Sequence, residues 1–129
     1  MNTGRVKIIY RHFPFLGPES WRVAEASECA AEQGGFHAYK ETAYVNQGSF
    51  TDENLAIFAQ MTGLDVDQFN SCLTSNKYAA RVRHDHDAGE ELGVNSTPTI
   101  FIDGFKIRGV KPYGEYRVKI EQALAAAGE

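Results

Sequence analysis

Two cysteines and four histidines are the residues of this 129-residue chain whose types speak first of chemistry. Cys29 and Cys72 stand 43 positions apart, so they cannot form the Cys-x-x-Cys that dithiol exchange uses. Spacing alone leaves three readings open for them: two free core thiols, one disulfide, or part of a metal site. The run His84-Asp85-His86-Asp87 has metal-ligating residue types. On a helix, however, residues i and i+2 point to different faces, so its two imidazoles do not readily share an ion, and the run reads better as a solvated helix face. No metal site is expected. His12 and His37 are isolated and read as surface or packing residues. Gly104 and Gly109 read as turn glycines, without the spacing of a phosphate-binding loop. The aromatics Phe13, Phe15, Trp21, Phe36 and Tyr39 are expected mainly in a core.

Composition bounds what such residues can serve. The length suits one domain, 1–129, with a core that needs no metal. Hydrophobic residues at 43% and charged residues at 23% exclude wholesale disorder. A net charge of −4 makes nucleic acid and anionic membrane poor default partners. No apolar run approaches a membrane span, and Met1-Asn2-Thr3-Gly4-Arg5 is not followed by the apolar stretch of a signal peptide.

The elements that must position these residues follow from period and punctuation. Residues 5–10 are rich in β-branched types and predict a buried strand. Pro14, Gly17 and Pro18 turn the chain, and a helix is expected from Glu19 or Ser20. It carries Trp21, Ala24, Ser27 and Ala31 on a mostly small-residue face, with Cys29 on the flank, and ends at Gly34-Gly35. A second helix bears Phe36, Tyr39 and Ala43. Thr51 reads as the N-cap of a third, with Asp52 and Glu53 at its positive end, an apolar stripe of Leu55, Phe58 and Ala59, and Gly63 as its stop. Asp65-Val66-Asp67-Gln68 has the form of a capping box opening a short helix that buries Val66, Phe69, Cys72 and Leu73. A longer helix is expected from about Lys77 to Leu92, with Tyr78, Val82 and Leu92 as its apolar contacts and Gly93 as its stop. The period then changes. Residues 99–102 and 105–107 predict a hairpin about Asp103-Gly104, and a last helix from about Tyr113 places Tyr116, Ile120 and Leu124 on one face. There is no repeat, low-complexity segment or linker.

An ordered set of short motifs in this frame resembles the DsbA-like thiol–disulfide oxidoreductases. These are Tyr10-Arg11-His12-Phe13-Pro14-Phe15, Ala24-Glu25-Ala26-Ser27-Glu28-Cys29-Ala30 with Gln33-Gly34, and Phe69-Asn70-Ser71-Cys72-Leu73, then Gly93-Val94-Asn95-Ser96-Thr97-Pro98-Thr99 and Phe101-Ile102-Asp103-Gly104. The resemblance implies an α/β, thioredoxin-like (DsbA-type) fold with an inserted helical subdomain at about 19–92 and a C-terminal β-hairpin and helix at about 97–127. It also marks a departure. In that family the first strand of the core leads into a Cys-x-x-Cys at a helix N-terminus, where free N–H groups and the helix dipole lower the thiol pKa. No residue here matches either cysteine, so the chain looks like a family member incomplete at the N-terminus. In the family that strand lies between the counterparts of residues 6–10 and 99–102.

The other implications of the resemblance concern binding and assembly. The proline matching Pro98 is cis in the family and leaves the preceding backbone, here Thr97, free to pair with a bound chain, which makes Thr97 and Pro98 the expected substrate-binding residues. Some members carry a second, non-catalytic disulfide in the helical region, so a Cys29–Cys72 bridge is expected, worth about 4 kcal/mol by loop entropy. No cofactor is implied. The implied partners are unfolded or thiol-containing protein substrates, and strand edges left without a neighbour point to a homodimer. The family usually works outside the cytoplasm, in the periplasm or cell envelope, although no export signal is read here. The expected function is therefore that of the thiol–disulfide oxidoreductase family, with no catalytic residue present and little or no dithiol activity. The alternative is a non-catalytic peptide-binding module on the same scaffold. Family branches that lack Cys-x-x-Cys, such as glutathione-using ones, are a weaker parallel because they too use the first βα unit.

Overall fold

Six helices and a two-stranded sheet make up the described residues, 3–128, of the computed structural model. In chain order these are α1 (Pro18–Ala31), α2 (Phe36–Val45), α3 (Asp52–Met61), α4 (Val66–Thr74), α5 (Ala79–Glu91), β1 (Thr99–Ile102), β2 (Phe105–Arg108) and α6 (Tyr113–Ala126). Two units can be distinguished. One is helical, Arg11–Ala88, and the other joins the described residues up to Tyr10 with those from Gly89 onward.

In the helical unit, α1 begins where Pro18 follows Gly17, whose φ of 87° sets the turn, and it stops where Gly34 adopts a φ of 74°. That left-handed residue lets the Gly35 N–H reach the carbonyl of Ala30 at 2.9 Å. Helices α2, α3 and α4 all pack on α1, so its buried arc is wider than one stripe. Cys29, expected on the flank, is therefore central at 1% exposure together with Ala26 and Ala30, while Trp21 and Ala31 are only half-buried. The small side chains of α1 let the larger residues of the other helices close over it. Tyr39, Leu55, Phe69 and Leu73 are fully or almost fully enclosed, and each such apolar side chain contributes about 1.5–3 kcal/mol. Tyr39 donates its hydroxyl to the carbonyl of Leu55 at 3.0 Å, which satisfies the one polar atom it carries into the core. Burial pushes its phenol far above the usual tyrosine range.

The caps of α3 and α4 form, the second with a change of partner. Thr51 Oγ1 accepts from Asn54 N at 3.2 Å, and Asp65 Oδ1 accepts from Gln68 N at 3.0 Å. The reciprocal half of the expected capping box is supplied by Gln33 instead. Its amide accepts from Asp65 N at 2.8 Å and donates to Asp65 O at 3.0 Å, tying the end of α1 to the start of α4. Helix α5 begins two residues later than expected, after Asn76 in a left-handed conformation, and buries Val82. Leu92, expected as an apolar contact, lies past the helix end at 58% exposure.

In the other unit β1 and β2 pair antiparallel, with Ile100 opposite Ile107 and Ile102 opposite Phe105. Asp103 and Gly104 have φ of 48° and 84°, the two positive values that a type I′ hairpin turn requires. Helix α6 packs on β1, with Tyr116, Ile120 and Leu124 half-buried as expected. The strand expected over residues 5–10 does not form. A strand exists only through a ladder of hydrogen bonds to a neighbour, and among the described residues this segment takes part in no such ladder; Ile8 and Ile9 are more than half exposed.

Candidate functional site: the loop from Gly93 to Pro98

The strongest site candidate is built by the end of α5 and the start of β1. Gly93 ends α5 with a φ of 74°, and the Val94 N–H reaches back to the carbonyl of Gly89 at 2.9 Å. Lys106 Nζ of β2 lies 3.4 Å from the carbonyl oxygen of Gly93, where a Cβ on residue 93 would come within 3.2 Å of that ammonium. Thr99 Oγ1 donates to the carbonyl of Ser96 at 2.7 Å, and Gly109 N donates to the carbonyl of Pro98 at 2.8 Å. These bonds fix the loop on both sides of Thr97. The Thr97–Pro98 peptide bond is cis, and both residues are exposed. Among the described residues, nothing hydrogen-bonds to the backbone N–H or C=O of Thr97. The loop thus holds one rigid, outward-facing donor and acceptor pair, which is what an extended chain needs to pair with. Close by in the same unit, β2 and α6 flank an open groove of about 530 Å³ lined by Phe105, Ile107 and Val118.

The sulfur chemistry lies elsewhere. Cys29 and Cys72 are bonded to each other inside the helical unit, 1% and 5% exposed, and no free cysteine remains among the described residues. No sulfur is therefore available as a thiolate.

The histidine run departs from the solvated face expected of it. Asp85 is buried, and its carboxylate accepts from Arg11 Nη1 at 3.0 Å and from the backbone N–H of His12 at 3.2 Å. His86 is half-buried, its ring stacked on Phe13 at 4.7 Å between centroids and tilted against Trp21 at 4.8 Å. His84 alone of the two histidines is exposed. His12 Nε2 meets Glu28 Oε1 at 2.7 Å, so this residue joins the segment after Tyr10 to α1, while His37 is exposed. These contacts anchor Arg11–Phe13. They were not visible in the sequence because Asp85 and Arg11 are 74 positions apart.

Two carboxylates brace the helical unit and titrate low. Arg22 grips both oxygens of Asp52 at 2.8 Å, and this hydrogen bonding holds the Asp52 carboxyl below its usual 3.8. Glu32, bonded by Lys77 and by the Tyr78 hydroxyl at 2.9 Å, is likewise held below its usual 4.5, first by the lysine and then by the phenol.

Comparison with known proteins agrees with this architecture. A family model described as thioredoxin matches residues 1–122, and the chain belongs to that family. Two solved structures share the fold. The thiol-disulfide exchange protein alpha-DsbA2 from Wolbachia pipientis superimposes with a TM-score of 0.82 at 24% identity, covering 94% of this chain and 67% of that one. A thioredoxin-like oxidoreductase from Silicibacter pomeroyi DSS-3 gives 0.77 at 23%, covering 88% and 66%. The fold is thus thioredoxin-like of the DsbA type, with its helical insertion formed by α1–α5. Among curated proteins, the chain is 34% identical over 124 residues to the Na(+)/H(+) antiporter NhaA 3 of Salinispora tropica and 34% over 104 residues to the antiporter NhaA of Herminiimonas arsenicoxydans. It covers 95% and 81% of itself in these matches, but spans only 18% and 17% of those proteins. Among the described residues, no helix is long and apolar enough to cross a membrane.

Proposed function

We propose that this chain is the substrate-gripping part of a thiol–disulfide oxidoreductase scaffold, without dithiol chemistry of its own. Thr97 and Pro98 are its substrate-binding residues, and its substrates are unfolded or thiol-containing proteins held as extended segments. The single observation that carries this reading is the free backbone pair of Thr97 in a loop where the flanking carbonyls of Gly93, Ser96 and Pro98 are all hydrogen-bonded. The two structural neighbours, one a thiol-disulfide exchange protein and the other a thioredoxin-like oxidoreductase, support the substrate class. Redox inactivity is supported by the bonding of both cysteines to each other in a buried site. Transport is no part of the proposal, because the antiporters are matched over less than a fifth of their length.

Under this reading the chain is one functional domain, 1–129, and works as a homodimer. A neighbour for the exposed apolar side chains Ile8, Ile9, Phe101 and Phe105 is what favours the dimer. The second reading, a peptide-binding module with no redox role in any context, rests on the same loop. Reduction of insulin disulfides in the presence of a thiol donor tests the main proposal. The expected result is turnover no faster than the donor alone. Turnover that disappears in Cys29→Ser or Cys72→Ser overturns it. Binding of a cysteine-free peptide would then favour the module over the redox scaffold only if thiol-containing chains bind no better.

A further inference from the structure

Carboxylates outnumber lysine and arginine in this chain, 17 to 13, yet the balance reverses around the gripping loop. From Gly93 to Lys111 the charged residues are Asp103, at the hairpin turn, and three cations, Lys106, Arg108 and Lys111. Elsewhere cations find carboxylates: Arg11, Arg22, Lys77, Arg81 and Arg117 each form an ion pair. Among the described residues none of the three loop cations does so, and the Arg108 guanidinium has no hydrogen-bond partner. The hairpin register gives the direction of two of them. Side chains of directly opposed residues share a face, so Thr99 with Arg108 and Phe101 with Lys106 line one side of the sheet. Ile100 with Ile107 and Ile102 with Phe105 line the other, where Ile107 is buried and Val118 and Glu115 of α6 border the same groove. The carboxylate of Glu115 therefore belongs to the face away from Arg108. Lys106 reaches from β2 to the start of the loop, its Nζ 3.4 Å from the carbonyl oxygen of Gly93. Arg108 stands opposite Thr99, two residues from Thr97.

We propose that the extended chain gripped at Thr97 is an acidic one, whose carboxylate, within two positions of the paired residue, forms the ion pair that Arg108 lacks. The inference rests on the gripping function proposed above and adds to it the charge of the substrate. A chain hydrogen-bonded to Thr97 lies one strand spacing, about 4.8 Å, beyond it and about twice that from β2. Its alternate side chains emerge on the cationic face, and a glutamate and an arginine together span that separation. A guanidinium presents paired N–H donors that match both oxygens of a carboxylate, which gives Arg108 direction as well as charge. Lys106 is held at the loop carbonyl and contributes field rather than a directed contact. A basic segment would meet uncompensated cations there, so the surface rejects as well as attracts.

Three thiol-blocked peptides of one extended sequence, with glutamate, glutamine or lysine flanking the central residue, test the inference by NMR titration of the full chain. The amide shift of Thr97 reports whether each is gripped. At low salt the glutamate peptide is expected to bind about fivefold more tightly than the glutamine peptide, with the lysine peptide weakest. The preference is expected to shrink as salt is raised, because exposed charges are screened. In Arg108→Gln the glutamate and glutamine peptides are expected to bind alike. Arg117→Gln removes the same charge from α6 and is expected to keep the preference, which separates a contact from net charge. Unchanged amides of Ile100 and Ile107 report an intact hairpin in both variants. Equal affinity for the three peptides, with Thr97 shifted by each, overturns the inference and leaves the gripping function standing. A preference that survives Arg108→Gln, or that Arg117→Gln abolishes equally, overturns the role of Arg108. No shift at Thr97 with any peptide overturns the inference and the gripping function together.

Discussion

At Asp85 a buried carboxylate holds a main-chain N–H that would otherwise have no partner. The ion pair with Arg11 contributes little, because that arginine is 65% exposed. The part-buried N–H of His12 is the costlier loss, since a donor shielded from water and left without an acceptor costs about 1–3 kcal/mol. Asp85→Ala is expected to destabilise by about 2–3 kcal/mol and Asp85→Asn by less, both read from urea denaturation midpoints. Tyr39→Phe removes a single buried hydrogen bond to Leu55 and keeps the packing, so about 1 kcal/mol is expected in the same measurement. Asp52 and Glu32 act through pH. Both carboxyls titrate lower in the folded chain than in the unfolded one. Their stabilisation is therefore fully present above the ordinary carboxylate range and is lost as pH falls through their folded values. Stability followed from neutral pH downward is expected to decline on the acid side of pH 4.5, and Glu32→Gln to flatten that decline. A residue-by-residue reading of the sequence reaches Thr51 and Asp65 as caps because a cap acts within four residues. It misses Gln33 at Asp65 and Arg11 at Asp85 because those partners arrive from distant parts of the chain.

Elements were legible in proportion to how locally they are determined. Helices α1–α6 follow from glycine stops, caps and apolar spacing, and the hairpin follows from Asp103-Gly104, whose turn needs left-handed conformations at both positions. Residues 5–10 have the composition of a strand and form none, because strand formation depends on a neighbour that composition does not supply. The burial of Cys29 in the middle of the packed face of α1 was missed for a related reason: three helices pack on α1, and their arrangement is tertiary. The disulfide closes a loop of 43 positions across the helical unit, so its removal bears on this whole set of helices. Cys29→Ser with Cys72→Ser is expected to lower stability by about 4 kcal/mol, the loop-entropy value, in a thermal or urea melt. The hairpin amides of Ile100 and Ile102 are expected to keep their protection in that variant, since their partners lie in β2.

For the molecule as a whole, the thioredoxin family sets the scaffold, and the proposed function assigns what this chain does on it to the residues of the loop. The ordered set of motifs from Tyr10 to Gly104 carries the family resemblance in the sequence. The open state of the Thr97 backbone could be seen only once Thr99, Lys106 and Gly109 had been placed around it. The account holds that this backbone pair grips extended protein chains and that no sulfur of this chain takes part. Titration of the isotope-labelled protein with an unfolded peptide whose thiols are blocked, followed by NMR, addresses both halves at once. Saturable shifts at Ser96, Thr97 and Gly109, with the Cys29–Cys72 bond intact throughout, are the predicted result. Binding that leaves Thr97 unshifted, or that appears only when the peptide has a free thiol and consumes it, would contradict the account.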